Sequence, residues 1–457
     1  MAAIACIRTI LLTGSCKKLI EIPPAANVIS EEVVFTDSIS IMGAIAGVYD
    51  GYGVATGSTT IFNGTLNVTT GLTGDELVTQ ATDLTYFNNA VLPSDGRLNS
   101  MWANTYNFIY RTNACMEGLA TTNIISTRLR DQLIGELKFN RAIAYFYLIN
   151  TFGDVPIILD TDFRKNAIIP RAPVDEVYNQ ILKDLTDAQK ILVAKYPSAD
   201  RARPNLYAVN AMLAKVYLYL GQWRNAEIAA NSVIGSGLYT IVQNLANTFL
   251  YQSPEAIWQL PANGTGRQTA DAQNFVPRSL IAPTTVPTYT ISNYLLSSFE
   301  IGDLRKQQWI GVTRVPAVTG VDYTYPNKYK NRLATAPIEG YMMLRLSEIY
   351  LIRAEALARQ NNTAAAIADL DMVRYPARVG VAKYSGPTDQ TSVLGAIANE
   401  RQVELFCESA NRWFDLKRTG TINEVLGARK PNWKPNSVLF PIPLPQILSN
   451  PFLTQNP

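Results

Sequence analysis

Residues 206–234 read LYAVNAMLAKVYLYLGQWRNAEIAANSVI, and this stretch decides the fold. Leu213, Ala214, Tyr217 and Leu218 keep helical spacing as far as Leu220, where Gly221 interrupts the run. Trp223 follows two residues after the glycine, and Ala226 three after that. A glycine permits a tight turn between two helices, the indole fills the angle, and a small alanine lets the helices approach. That is the tetratricopeptide pattern.

A related pair recurs further on. Tyr350, Ala354, Ala356 and Leu357 precede Gln360-Asn361-Asn362, and Ala365, Ile367 and Leu370 follow. Two degenerate copies lie around 140–193. Such units bury their faces only against neighbours, so a stack is predicted. The expected fold is all-α, mainly helical: a tetratricopeptide-like repeat scaffold with helices roughly over 100–235 and 341–420.

Outside the repeats, Ile41, Ile45 and Val48 share a face after an acidic helix start at Ser30-Glu31-Glu32. The segment Gly51 to Gly74 is rich in Gly, Thr and Asn and reads as a loop or hairpin. Trp102, Tyr106, Ile109, Tyr110 and Asn113 fall on one helical face, as do Leu133, Leu137, Ala144 and Leu148. Pro173-Val174-Asp175-Glu176 opens another helix, with Val177, Ile181, Leu185 and Ala188 on its apolar side. Between the two clear repeats, 239–340 carries many prolines among Gly, Thr and aromatics. It is expected to form irregular surface segments laid on the helical frame, the usual place for ligand contacts.

Composition narrows the chemistry. The chain has 457 residues, 47% of them hydrophobic and 17% charged, which fits a folded globular body. Forty basic and 37 acidic residues are interleaved, so no basic stripe marks a nucleic-acid partner. There is no histidine, which excludes Ser-His-Asp, Cys-His and His-zinc mechanisms. No Asp-x-Asp-x-Asp calcium loop is present. Catalytic residues, a metal and a cofactor are therefore not expected. Cys115 and Cys407 read as buried packing. Glu400, Arg401, Glu404, Arg412 and Asp415 alternate in sign around Trp413 and Phe414, and read as structural ion pairs rather than a catalytic carboxylate pair.

The amino end has a character of its own. Residues 1–15 carry one Arg and an apolar run closing on Leu12-Thr13-Gly14-Ser15 before Cys16. This is too short to span a bilayer and reads as an export signal, with Cys16 as the acylated first residue of the mature chain. Thr13 stands where a lipobox usually has leucine. Residues 16–30 include Pro23-Pro24 and form a tether, leaving 31–457 as one folded domain anchored by its acyl chains.

Three further stretches carry a family resemblance. Phe139-Asn140-Arg141-Ala142 through Tyr145-Phe146-Tyr147-Leu148 to Phe152-Gly153-Asp154-Val155-Pro156 resembles the helix-and-turn signature of SusD/RagB nutrient-binding lipoproteins. Glu400-Arg401-Gln402-Val403-Glu404-Leu405 and Arg412-Trp413-Phe414-Asp415-Leu416-Lys417-Arg418-Thr419-Gly420 resemble its C-terminal signature. Pro441-Ile442-Pro443, Asn450-Pro451 and Gln455-Asn456-Pro457 are similar to its closing segment. Ser409-Ala410-Asn411 departs from it, standing where Gly-His is expected before Arg412.

The resemblance implies a SusD-like fold and a lipid-anchored protein on the cell outer membrane, facing the exterior. It would capture oligosaccharide, or in a RagB-like branch peptide, for a SusC-like TonB-dependent outer-membrane transporter. Sugar capture needs aromatic platforms and planar polar groups. The family supplies no motif for these contacts. The ligand-binding candidates are therefore Tyr52, Tyr86, Tyr289, Trp309, Tyr323 and Tyr325, with Arg97 and Asn99 as polar partners and Trp102 and Asn104 beside them. A repeat-type protein-interaction adaptor and a hydrolase remain as readings of another class.

Overall fold

The computed structural model describes residues 34–53, 58–79, 82–262, 268–278, 286–315, 320–333 and 338–457. The export signal, Cys16 and the tether lie outside them.

In chain order, helix α1 (Ser38–Asp50) is capped by the Asp37 carboxylate and buries Ile41, Ile45 and Val48. The next element corrects the sequence reading. Within the expected loop, Gly64–Thr73 is a helix, α2. Asn63 caps it, and the hydroxyls of Thr69, Thr70 and Thr73 donate to carbonyls one turn back. Threonines with satisfied hydroxyls sit in a buried helix at little cost, so a composition typical of loops forms a helix buried almost all round.

Strand β1 (Leu77–Thr79) leads to α3 (Gly96–Thr121) and α4 (Thr127–Phe152), capped by Asp95 and Ser126. On α3, Trp102, Ile109 and Asn113 face inward, but Tyr110 is exposed. Helix α4 ends at Gly153, whose φ of 77° is open to glycine. A Cβ there would also stand 2.8 Å from Leu439.

Helix α5 (Val174–Ile191) packs antiparallel on α4, and Arg141 clamps the pair through two 2.8 Å bonds to Asp184. Then come α6 (Leu206–Tyr219) and α7 (Trp223–Gly235). Gly221 has φ 67° between them, and Ala226, Ala229, Ala230 and Val233 are buried at their contact.

The segment 239–340 then departs from the frame, but it is not merely irregular surface. Six short strands pair antiparallel into three two-stranded sheets among the described residues. Strand β2 (Ala256–Pro261) pairs with the last, Gly340–Arg345. Strand β3 (Tyr289–Ile291) pairs with β1, and β4 (Ile310–Arg314) pairs with β5 (Asp322–Pro326). The final strand is β6.

From β6 the chain re-enters the stack as α8 (Leu346–Arg359) and α9 (Thr363–Val373). Asn361, with φ 62°, takes the turn position that Gly221 occupies in the first pair. Helix α7 packs directly on α8, and Arg353 reaches back to Asn231 at 2.7 Å. The repeat stack α4 to α9 is thus continuous in space, although about a hundred residues interrupt it in sequence. Helices α10 (Gln390–Glu404) and α11 (Asn411–Arg418) close it.

Two features bind these parts. Buried apolar residues from Ile41 to Ile442 join one cluster. Within it runs a network of charges centred on Glu404, which is wholly buried. Its carboxylate accepts from Arg305 at 2.9 Å, from Arg345 at 2.7 Å and from Arg378 at 2.7 and 3.1 Å. Arg305 also pairs with Asp303 and Glu400, and Arg345 with Glu255 and Glu408. Burial would raise the Glu404 carboxyl, but Arg378, Arg345 and Arg305 hold it well below the usual range. The expected ion pairs of the C-terminal signature are present, joined by Arg401–Asp415 and by Arg412–Asp75.

Candidate functional site

The sequence candidates separate once their surroundings are known. Tyr52 is fully buried, donates to Asn140 Oδ1 at 2.8 Å and packs edge-on against Phe62, Phe108 and Trp258. Trp309 is equally buried. Its indole N–H donates to the Leu245 carbonyl, and Lys328, Arg345 and Arg378 lie over its ring. Both are core side chains with no face left for a ligand. Tyr325, on β5, lies over Gly311, where a Cβ would meet its ring at 2.2 Å, and is 4% exposed. Tyr323 on the same strand is half-buried opposite Thr313. Trp102 packs against Tyr106 and Phe152 and is likewise covered. Tyr323 and Tyr325 come from a stretch that looks irregular in sequence, where β4–β5 pairing covers Tyr325; Trp102, on the helical face read from the sequence, is covered at the α3–α4 contact.

Three other candidates come together. Pairing of β1 with β3 sets Thr79 opposite Tyr289. Just beyond β1 the chain turns through Asp83, whose φ of 57° aims it back across the strands. The Asp83 carboxylate accepts from the Tyr289 hydroxyl and forms an ion pair with Arg97 at 2.9 Å. The Arg97 guanidinium stands 5.6 Å from the centre of the Tyr86 ring. Tyr86 in turn donates to Asp95 Oδ1 at 2.8 Å, and Asp95 also caps α3 through the Leu98 amide. Arg97 thus has a carboxylate on one side and an aromatic face on the other, with 31% of its side chain open to solvent. Two more candidates lie along the first turns of α3. Asn99 Oδ1 accepts from Gln446 at 3.1 Å, and exposed Asn104 donates to the Thr59 carbonyl at 2.7 Å.

The electrostatics favour holding over chemistry. Burial and the Asp83 hydrogen bond push the Tyr289 phenol up to about 12. Burial, with Asp95 beside it, raises Tyr86 as well. Both phenols stay protonated at neutral pH, but their protons are committed to Asp83 and Asp95 and both rings are buried, so of these groups it is Arg97 that stays open to solvent. Carboxyls displaced toward neutrality do exist, with Glu76 and Asp271 each raised to about 7 by burial, but both are enclosed in the core. Among the described residues no cluster of Cys, Asp and Glu could hold a metal ion, and no helix is long and apolar enough to cross a membrane.

Asp83 was not legible in sequence. Its partners are 14 and 206 residues away and meet it through a strand pairing that leaves no local pattern.

Comparison with known proteins agrees with this fold. A family model described as "Starch-binding associating with outer membrane" matches residues 30–218, and one described as "SusD family" matches 305–433. "SusD-like protein P38" of Formosa agariphila is 24% identical, over 97% of this chain and 95% of its own. A SusD superfamily protein from Bacteroides vulgatus superposes with a TM-score of 0.80 at 19% identity, covering 92% of this chain and 99% of that one. A structure titled "Laminarin binding SusD-like protein" gives 0.77 at 23% identity, with 92% and 99% covered. SusD-like proteins are binding proteins associated with the outer membrane. In fold, in its two signatures and in its repeat scaffold, this chain belongs to the SusD/RagB family.

Proposed function

We propose that the protein is a surface lipoprotein, acylated at Cys16, that captures oligosaccharide at the outer membrane and delivers it to a SusC-like TonB-dependent transporter. The reading is carried by the Asp83–Arg97–Tyr289–Tyr86 cluster. There a guanidinium with about a third of its side chain open to solvent is held in place by a carboxylate and an aromatic ring, beside phenols that do not titrate near neutrality. A guanidinium oriented in this way suits hydroxyl-rich ligands, and the phenols that frame it are not poised for proton transfer. The laminarin-binding title of one structural relative supports a glycan ligand. Asn99 and Asn104 extend the polar strip along α3.

The test is affinity electrophoresis through gels containing laminarin, starch or other polysaccharides. Retardation by one of these is expected, with at least a tenfold loss of affinity in Arg97→Ala and a smaller loss in Tyr289→Phe. Tyr52→Phe, a core change, leaves retention intact. Failure of every polysaccharide while peptides bind would replace the glycan reading with the RagB-like one. Hydrolysis of a bound ligand during long incubation would overturn the non-enzymatic reading. Metabolic labelling with a fatty acid tests Cys16, and co-purification of a large barrel protein tests the partnership.

A further inference from the structure

Deep in the repeat stack, three helices bring an amine, a carboxylate and a carboxamide to one point. Lys215 lies on α6, Glu348 in the first turn of α8, and Asn411 opens α11. The Lys215 amine donates to Asn411 Oδ1 at 3.0 Å and stands 2.8 Å from Glu348 Oε1. In that order the lysine, the glutamate and the asparagine are 1%, 3% and 3% exposed. Lys215 and Asn411 are 196 residues apart, so no local pattern announces their meeting.

The surroundings are apolar and firmly held. Phe146 lies beside the amine, its ring centre 5.9 Å from Nζ, and packs edge-on against Tyr219 and Phe414. Asn411 is fixed from behind. Its amide donates to the Glu408 carbonyl at 2.9 Å, and the Ala410 amide donates to Asn67 Oδ1 at 3.2 Å. Ser409 and Ala410 turn the chain into α11 through left-handed angles. This is the place where the C-terminal signature departs from its expected Gly-His. Asparagine carries a carbonyl carbon that an amine can attack, and histidine does not.

A buried lysine–glutamate ion pair is an ordinary structural device and accounts for two of the three groups. The third sets this site apart. Glu348 Oε1 is close enough to pair with the amine but is not aligned for a hydrogen bond, and it has no hydrogen-bond partner among the described residues. The aligned contact of the amine is with the neutral carboxamide, whose oxygen is one bond from Cγ. Reacting groups held at such range gain effective molarities of about 10⁵–10⁸ M. We propose that Lys215 and Asn411 condense into an intramolecular isopeptide bond, with Glu348 carrying the protons.

The step balances without a co-reactant. Burial works against the Lys215 charge, but Glu348 and Tyr147 outweigh it and raise the amine above its ordinary value, so the resting state is an ion pair. Passing the proton to Glu348 across the 2.8 Å contact turns two buried charges into two neutral groups, which recovers part of the cost of keeping them from water. The lone pair of the free amine then attacks Asn411 Cγ. The Nζ–Cγ bond forms as the carbonyl π pair moves onto Oδ1. Glu348 gives its proton to Nδ2 and takes one from Nζ. The carbonyl re-forms, the Cγ–Nδ2 bond breaks, and its electron pair departs with ammonia. The products are a secondary amide, one ammonia molecule and a protonated Glu348. The bond ties the first repeat pair to the C-terminal signature, so α6 and α11 stay joined even in an unfolded chain. It does not depend on what the protein binds at its surface.

The experiment is mass spectrometry of the purified whole chain after denaturation, then tryptic digestion and fragmentation. The wild type is expected to be lighter than its linear sequence by one ammonia and to yield a branched peptide joining the Lys215 and Asn411 segments. It also migrates faster in a denaturing gel than Asn411→Ala, which cannot link. Glu348→Gln keeps both reacting groups but stays at full mass, and Asn411→Asp links with loss of water in place of ammonia. If Glu348→Gln does not fold, the wild-type digest and the Asn411→Asp mass decide without it. A folded wild type at full mass with separate Lys215 and Asn411 peptides would overturn the proposal. So would ammonia loss mapped to another residue with Lys215 unlinked, or a Glu348→Gln chain that links as completely as the wild type.

Discussion

Replacing Glu404 with glutamine removes one charge and almost no volume. In the native chain that carboxylate answers three guanidinium groups, those of Arg305, Arg345 and Arg378, all of them buried. The amide of Glu404→Gln offers one acceptor oxygen and turns an NH2 toward a cation. Three positive charges then keep their cost of burial while losing their shared counter-charge, and breaking such pairs costs about 3–5 kcal/mol. With about 2.1 cal/mol/K of unfolding entropy per residue, a chain of this length loses roughly 1 °C of Tm per kcal/mol. The expected drop is therefore about 3–5 °C by differential scanning calorimetry at pH 7. Glu300→Gln is the control: its carboxylate pairs with Arg374 but is 49% exposed, so it moves Tm by less than about 1 °C. The pH dependence has a definite sign. The folded carboxyl lies below its ordinary 4.5, so its contribution is present above that value and fades as pH falls through the folded one. The gap between wild type and variant narrows on acidification. A Glu404→Gln protein that melts within 1 °C of wild type, or a gap that widens in acid, would refute the reasoning.

Asp271 runs the opposite way: burial raises its carboxyl from an ordinary 3.8 to about 7. Its charging opposes folding as pH rises from about 4 to about 7, so Asp271→Asn gains on wild type over that interval, on the order of a few kcal/mol, in urea melts at pH 4 and pH 8. Ala410 has φ 56° in a run with Cys407 and Ser409, also left-handed, so Ala410→Gly is expected to stabilise by about 1 kcal/mol in the same melts. Gly153→Ala, at φ 77° with Leu439 in the way, is expected to cost about 1–3 kcal/mol.

The repeat scaffold was legible because its code is local. Gly221, Trp223 and Ala226 each do their work within a few residues, and Asn361 can be read the same way once the second pair is aligned. The departure at Ser409-Ala410-Asn411 was visible as a mismatch, and backbone angles explain it: the left-handed conformation persists there without glycine. The charge cluster at 400–415 was legible as ion pairs, but half its partners were not. Asp75, Arg305 and Arg345 lie tens to hundreds of residues away, and nothing near them announces the connection. Helix α2 is not legible because threonine and glycine signal loops, and only in the folded chain do the hydroxyls of Thr69, Thr70 and Thr73 find carbonyls one turn back. The candidate site divides along the same line. Tyr86, Arg97 and Tyr289 were named from residue type, but Asp83, which gathers them, emerges from a strand pairing. Tyr52 and Trp309 were drawn from segments that look loose in sequence and became core.

Helix α2 and its carboxylates set a schedule for the chain's birth. Asn67 accepts from the Ala410 amide, Asp75 is gripped by Arg412 and Arg429, Glu76 accepts from the Cys407 amide, and Lys430 reaches the Leu72 carbonyl at 2.6 Å. Each contact spans more than three hundred residues. A chain emerging from its amino end cannot finish this region until nearly all of it has been made, because an unpaired Asp75 or Glu76 is costly to bury. Chains stalled short of residue 407 keep an apolar helix without its cover and stay open to proteases and chaperones. Completion of the last helices thereby acts as a length check on the burial of this region.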